Sequence, residues 1–287
     1  MKPALYLPQG IPCAKDLHAH SYSLAQWREC KKSLRVLLLN LMPVKADTEM
    51  DIARMLKASG LDVQLLPMKI SGQRYKTTSM EHMDRFYLDF EVYEPYYFDR
   101  MIITGAPLEQ MPFEEVRYWP QLQHIMHWAD EHVERTLYIC WAAQAGLYEH
   151  YGVNKHDLPH KMFGVFNQQV LCPASFLMRG LQPSFKMPNS RHTEVRADEI
   201  AEKAGEGLLM IASSDDSGVG VLVTKDGRRT FIVGHLEYSA DTLDKEYHRD
   251  LDKHLPIQAP QNYYKEDGSI DFSWQTHAVT FYRNWLL

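Results

Sequence analysis

A chain of 287 residues and 33.4 kDa has the length of about two ordinary domains, or of one large α/β domain with extensions, and either buries a real core. Hydrophobic residues at 45% and charged residues at 24% exclude a disordered, collagen-like or coiled-coil chain. The formal charge of −6, from 31 Lys+Arg against 37 Asp+Glu, provides no basic field for a phosphate backbone, so nucleic acid is not an expected partner.

Met1-Lys2-Pro3 is not followed by a signal-peptide apolar region, and a cytoplasmic protein is expected. Residues 1–32 carry Pro3, Pro8 and Pro12 with no clear period, and read as an irregular N-terminal arm with one short helix at most. From residue 33 to residue 287 a single large domain is expected. It opens with Leu34-Arg35-Val36-Leu37-Leu38-Leu39, a short, nearly continuous apolar run typical of a strand buried on both faces of a mostly parallel sheet. The longest apolar stretch, around Leu37 to Met42, falls far short of the roughly 18 residues of a membrane span, so no membrane contact is expected. Asp47-Thr48-Glu49 opens a helix carrying Met50, Ile52, Ala53 and Leu56, stopped at Gly60, and Leu61 to Leu66 reads as the next strand.

The aromatic, acidic stretch from Ser71 to Asp99 reads as helix or lid, its Phe86, Tyr87, Phe90, Tyr93, Tyr96, Tyr97 and Phe98 as core. Arg100 to Thr104 reads as a strand ending in Gly105-Ala106-Pro107, followed by a helix over about 113–132 whose His124, His127 and, nearby, His132 read as a solvated face rather than a metal site. Thr136 to Cys140 is a strand leading directly into a helix beginning Trp141-Ala142-Ala143. Further strands fall near 164–171, 208–212, 219–223 and 230–233, then a charged helix at about 240–254. Strands alternating with helices predict an α/β fold: an open, mostly parallel sheet with helices on both faces.

In such sheets, sites form beyond the carboxyl ends of strands. Three segments end there together: Thr104-Gly105-Ala106-Pro107, Ile139-Cys140-Trp141 and Gly234-His235-Leu236-Glu237. Among Cys13, Cys30, Cys140 and Cys172, spaced too irregularly for zinc or a disulfide framework, Cys140 alone lies at a strand-to-helix turn, where the helix N-terminus favours a thiolate. His235 would serve as base and Glu237 as its orienter. The backbone N–H groups of Trp141 and of Ala106 would face the oxygen of a bound acyl group. No Walker or G-x-G-x-x-G pattern appears, and no metal or cofactor is expected.

The segments Leu38-Leu39-Asn40-Leu41-Met42-Pro43, Ile103 to Glu109, Tyr118-Trp119-Pro120, Ile139 to Ala145, Asn189-Ser190-Arg191, Gly234 to Tyr238 and Glu246-Tyr247-His248-Arg249-Asp250, in one order from about residue 34 to the end, resemble the homoserine O-succinyltransferase/O-acetyltransferase family of methionine biosynthesis. The resemblance implies a class I glutamine amidotransferase-like fold and a cysteine that carries the acyl group as a thioester in a ping-pong reaction. It implies Cys140 as that nucleophile, His235 as general base, Glu237 as its partner, Lys161 and Ser190 as substrate contacts, and Arg249 as clamp for an amino acid's α-carboxylate. A guanidinium suits that task because it offers a bidentate fork. Glu109 occupies the position that selects the acyl donor in the family. A fixed carboxylate there fills volume and repels the free carboxylate of a succinyl group, so acetyl-CoA is the expected donor and succinyl-CoA the alternative.

Val44-Lys45 after Leu-Met-Pro, Asn189 before Ser190-Arg191, and Phe166-Asn167 depart from the family pattern at positions expected to line or support the amino-acid pocket. Homoserine and serine differ by one methylene, worth only about 1–3 kcal/mol of discrimination, so L-serine stands beside L-homoserine as acceptor, with cysteine rather than methionine biosynthesis as its destination. The family implies a homodimer acting on small molecules. A glutamine amidotransferase or cysteine hydrolase on the same scaffold, and a non-catalytic binding member, are the rival readings.

Overall fold

The computed structural model describes residues 3–30 and 33–287. Leu34-Arg35-Val36-Leu37-Leu38-Leu39 forms a strand because its apolar side chains can be buried on both sides at once. Val36 and Leu38 point into one hydrophobic layer, while Leu37 and Leu39 point into the other. Leu137, Ile139 and Ile232 extend the first layer, with Tyr138 and Phe231 opposite them. The period of two therefore divides the core into two layers, one on each face of a single sheet.

In chain order the strands are β1 (Leu5–Pro8), β2 (His20–Tyr22), β3 (Leu34–Leu39), β4 (Val63–Lys69), β5 (Leu88–Asp89), β6 (Phe98–Ile103), β7 (Val133–Ile139), β8 (His156–Val170), β9 (Ser184–Glu194), β10 (Leu208–Ser214), β11 (Gly218–Thr224) and β12 (Arg229–Ile232). Among the described residues the sheet runs β2-β1-β4-β3-β6-β7-β12-β11-β10-β8-β9, with β5 added beside β4. Pairing is parallel from β2 through β12 and antiparallel from β12 to β9. The helices Lys45–Ala58 and Gln275–Leu286 cover one face, and Trp119–His132 and Trp141–Tyr151 cover the other. The expected mostly parallel, doubly covered α/β sheet is the fold.

Three differences from the sequence reading have physical causes. Residues 1, 2, 31 and 32 of the expected arm lie outside the described residues, but 3–30 is not irregular. Leu5 and Leu7 are buried, and β1 pairs with β4 in register Leu5↔Val63, Tyr6↔Gln64; the flanking prolines mask so short a strand. The stretch Ser71 to Asp99 is a loop followed by two short helices, Met80–Phe86 and Phe90–Tyr93. Of its aromatics, Phe86, Tyr87, Phe90, Tyr93 and Phe98 are core, whereas Tyr97 is 67% exposed. The β8–β9 ribbon, with ten paired positions from His156↔Glu194 to Gln169↔Ser184, is longer than the single strand expected near 164–171.

Two close approaches position the loops above the sheet. A Cβ on Gly234 would lie 2.6 Å from the Pro188 carbonyl, so only glycine lets the chain leave β12 beside β9 and place the His235 N–H 2.8 Å from that same oxygen. A Cβ on Gly105 would lie 3.4 Å from Cys140 Cβ and 3.6 Å from the Trp141 nitrogen, so the loop after β6 is seated directly against the turn after β7.

Candidate active site

Cys140 sits between β7 and the helix Trp141–Tyr151 with φ 52° and ψ −114°, a backbone conformation that side-chain-bearing residues rarely adopt and that costs about 1–3 kcal/mol. Its N–H donates to the Ile232 carbonyl at 2.7 Å, tying β7 to β12, and Gln144 N–H donates to the Cys140 carbonyl at 3.1 Å. Strain held by tight neighbours turns the sulfur out over the carboxyl edge of the sheet, as in a nucleophile elbow. Trp141 is the first residue of the helix, so its N–H has no helical acceptor, and its nitrogen lies 3.6 Å from where a Cβ on Gly105 would stand. Ala106, buried on that loop, follows directly.

His235 and Glu237 follow β12 and are both buried. His235 Nδ1 and Glu237 Oε1 are 2.6 Å apart. An ionised carboxylate only accepts, so Nδ1 donates and Nε2 is left as the basic nitrogen. The Tyr238 ring stacks on the imidazole at 4.0 Å between centroids and 13° between planes, fixing its plane. Burial works against a charge on the ring, yet the Cys140 sulfur and the Glu237 carboxylate hold the imidazolium well above the usual histidine range. The imidazole is thus paired with the Glu237 carboxylate and lies in the field of the Cys140 sulfur.

Glu109 belongs to the same group. Its Oε1 lies 3.9 Å from Cys140 Sγ, and its Oε2 accepts the His192 N–H at 2.8 Å. Burial pushes its carboxyl upward, opposed by that N–H and by the fields of His192, His235 and Lys161.

Lys161, Ser190 and Arg249 converge on Glu246. Glu246 Oε1 accepts from Lys161 Nζ at 2.7 Å, from Ser190 Oγ at 2.8 Å and from Arg249 at 3.5 Å. Arg249 also donates to Asp250 at 2.7 Å, and its side chain is 53% exposed. The signal for Glu246 was its position one helical turn before Arg249, which on sequence alone looks like an ordinary i,i+3 surface pair. Arg249 and Glu246 line a cleft of about 250 Å³ with Met42, Val44, Asp51 and Tyr238. Asp51 is raised to about 7, chiefly by burial, despite Ser239 donating to it.

The departures from the family pattern reach this cleft unevenly. Val44 lines it. Lys45 does not: it is buried, donates to the Asn40 and Met42 carbonyls at 2.7 Å each, and is lowered to about 8 by burial. Asn189 and Arg191 brace β9 from within, Arg191 donating to the Thr193 carbonyl at 2.6 Å and to Asn189 Oδ1 at 3.3 Å. Phe166 is buried in β8 and Asn167 beside it is exposed, and neither lines this cleft.

Among the described residues His127, Asp130 and His150 place ligand atoms within 4.8 Å of one another. Asp130 is already paired with Arg229 at 2.5 Å, so a cation there would compete with a guanidinium. His124 pairs instead with Glu94 at 3.1 Å, and His132 stacks on Trp128. No described helix is long and apolar enough to cross a membrane.

A cysteine elbow with a His–Glu pair at the edge of an open α/β sheet defines the class I glutamine amidotransferase-like fold. Solved structures agree: a glutamine amidotransferase from Thermotoga maritima matches 88% of this chain and 96% of its own with a TM-score of 0.56 at 14% identity, and a glutamine amido transferase from Methylobacillus flagellatus matches 88% and 94% with a TM-score of 0.59 at 14% identity. The family model described as homoserine O-succinyltransferase matches residues 6–287. The chain is 49% identical over 290 residues to a homoserine O-acetyltransferase of Bacteroides thetaiotaomicron, covering 98% of this chain and 94% of the relative. It is 46% identical over 287 residues to one of Geobacillus kaustophilus, covering 98% and 94%. The chain belongs to the homoserine O-succinyltransferase family and is an acyltransferase.

Proposed function

We propose that this enzyme moves an acetyl group from acetyl-CoA to the side-chain hydroxyl of L-homoserine through a thioester on Cys140, in the cytoplasm, as a step of methionine biosynthesis. The observation that carries the reading is the meeting of the strained Cys140 with the His235–Glu237 pair, under a Glu109 carboxylate 3.9 Å from the sulfur.

His235 takes the thiol proton as Cys140 Sγ attacks the thioester carbonyl. The N–H groups of Trp141 and Ala106 hold the oxyanion. The bond to the CoA sulfur then breaks, and CoA leaves with the proton from His235. In the second half-reaction His235 deprotonates the acceptor hydroxyl, whose oxygen attacks the acetyl-enzyme; the acyl carbon–sulfur bond then breaks, and His235 returns the proton to the Cys140 sulfur. Both halves pass through the imidazolium, the form that the buried Glu237 stabilises. Arg249 receives the α-carboxylate of the amino acid, while Glu246, held by Lys161 and Ser190, takes its α-ammonium group.

Acetyl rather than succinyl follows from Glu109, whose carboxylate fills the space a longer diacid would need, and the relatives' names agree. Phe166 and Asn167 do not line the acceptor cleft although Val44 does, and homoserine is the acceptor in the relatives' names. The test incubates the enzyme with acetyl-CoA alone: one acetyl adduct should map to Cys140 with release of one equivalent of CoA, and Cys140→Ala should give neither adduct nor transfer. Full transfer by Cys140→Ala would falsify the mechanism. Steady-state comparison of L-homoserine with L-serine, each against acetyl-CoA and succinyl-CoA, tests both substrate assignments.

A further inference from the structure

A cleft of about 410 Å³ lies over the carboxyl ends of β3, β4 and β6. Its inner end is Ala106, next to the Gly105 that lies against Cys140. From there it runs along Pro107 and Leu108, over a floor that includes Ile70, Tyr75 and Tyr118, to a rim formed by Lys69, Arg74 and Lys76. Lys69 is paired with Asp84 at 2.7 Å, whereas Arg74 and Lys76 are exposed and neither has a carboxylate partner among the described residues. Residues 69–77 hold three cations and no acid, in a chain whose net charge is −6.

The loop bearing these cations is anchored at both ends. Thr78 Oγ1 donates to the Pro43 carbonyl at 3.0 Å, as does the Thr77 hydroxyl. Gln121 Nε2 donates to the Ser71 carbonyl at 3.2 Å, and the Tyr75 ring lies 5.0 Å from the Lys45 ammonium. The rim is therefore a placed feature of the cleft.

We infer that this cleft seats the coenzyme A portion of the acyl donor, its apolar corridor taking the pantetheine arm from the sulfur outward and Arg74 and Lys76 taking the phosphates. The inference rests on the acyl-CoA donor proposed above. Charge selects this opening over the others that approach the site. The cleft beside Glu109, about 590 Å³, also carries Glu115, and the acceptor cleft carries Asp47, Asp51, Asp241 and Glu246, with its two cations, Lys245 and Arg249, already paired with Asp241 and with Glu246 and Asp250. A polyphosphate would be repelled from both and drawn to the third, where guanidinium and ammonium offer charge-assisted hydrogen bonds. Met42 and Pro43 line both this cleft and the acceptor cleft. Donor and acceptor would then enter on the two sides of these residues, as a ping-pong enzyme permits.

The test pairs turnover with binding, using the double variant Arg74→Glu/Lys76→Glu of the full chain. In the variant, the ratio of kcat/KM for acetyl-CoA to that for S-acetyl-pantetheine should fall by about tenfold or more, since the shorter donor lacks the nucleotide phosphates. The KM for acetyl-CoA should also rise less steeply with salt than in the wild type. A ratio within twofold of the wild-type value overturns the inference. Calorimetric titration with CoA separates the two levels of failure. If the wild type binds CoA and the variant binds it equally, the cleft assignment is wrong while the donor stands. If the wild type neither binds CoA nor turns over acetyl-CoA, the donor reading and the inference fall together.

Discussion

Glu109 Oε1 stands 3.9 Å from the Cys140 sulfur while the other oxygen of the same carboxylate is fixed by the His192 N–H at 2.8 Å. The carboxylate is thus neither a mobile surface acid nor a partner of the imidazole, which is satisfied by Glu237. It is a fixed object beside the sulfur, where the acyl chain of the proposed thioester would extend, and its burial, which raises its own proton affinity, also keeps water from screening it.

Replacing Glu109 by glycine removes both the volume and the charge. The ratio of kcat/KM for succinyl-CoA to that for acetyl-CoA should rise by a factor on the order of 10–100, the range expected when a buried repulsive contact of about 1.4–2.7 kcal/mol is removed. Initial rates with the two donors at fixed acceptor measure it, and an unchanged ratio would show that the carboxylate does not select the donor.

Gly105 gives a test of oxyanion stabilisation that leaves the triad untouched. An added methyl would lie 3.4 Å from Cys140 Cβ and 3.6 Å from the Trp141 nitrogen, ordinary contact distances that the fold tolerates, yet it would cover the N–H assigned to the oxyanion. Gly105→Ala should lower kcat by about 10²-fold, with the thermal midpoint near that of the wild type. Equal kcat would assign the Trp141 N–H no part in the reaction.

The parallel half of the sheet was legible in sequence because runs such as Leu34–Leu39 and 230–233 are apolar on both faces, a pattern surface strands do not share. The β8–β9 ribbon was not, because much of β8 before Phe163 is exposed or half-buried, and Pro159 and Pro188 interrupt what would otherwise read as strand. The last helix, Gln275–Leu286, carries Ala278, Phe281, Tyr282, Trp285 and Leu286 at helical spacing, all buried; this period was present in the sequence and was not read as a helix. The placement of Cys140, His235 and Glu237 at adjoining strand ends followed from the fold rule that strand termini share one edge. The convergence of Lys161, Ser190 and Arg249 on Glu246 joins β8, β9 and the helix Thr242–Asp252, a meeting of distant segments that no local spacing encodes.

Glu246 is the acceptor that organises those three side chains. In Glu246→Gln the fixed charge proposed to take the substrate's ammonium group is lost, while shape is kept. The KM for the amino acid should rise by about tenfold or more, with the KM for acetyl-CoA within twofold of the wild type. A change confined to kcat, with the acceptor KM unaltered, would place Glu246 outside substrate binding.

Stability should carry a pH signature from His150, far from the chemistry. Burial, with the neighbouring Arg229 guanidinium, lowers its imidazole from 6.5 to about 4, and its Nε2 lies 3.2 Å from the Tyr138 hydroxyl. Above pH 6.5 the ring is neutral in folded and unfolded chains alike, and its contribution is fully present. As pH falls toward 4 the unfolded chain takes up a proton that the folded protein still excludes, so stability is lost across this window, by about 3 kcal/mol in total. Glutamine at this position keeps a polar group but does not titrate. Urea unfolding of wild type and His150→Gln at pH 7 and pH 4 should show the wild type losing about 3 kcal/mol more than the variant, and parallel losses in the two proteins would rule out His150 as the source of acid sensitivity.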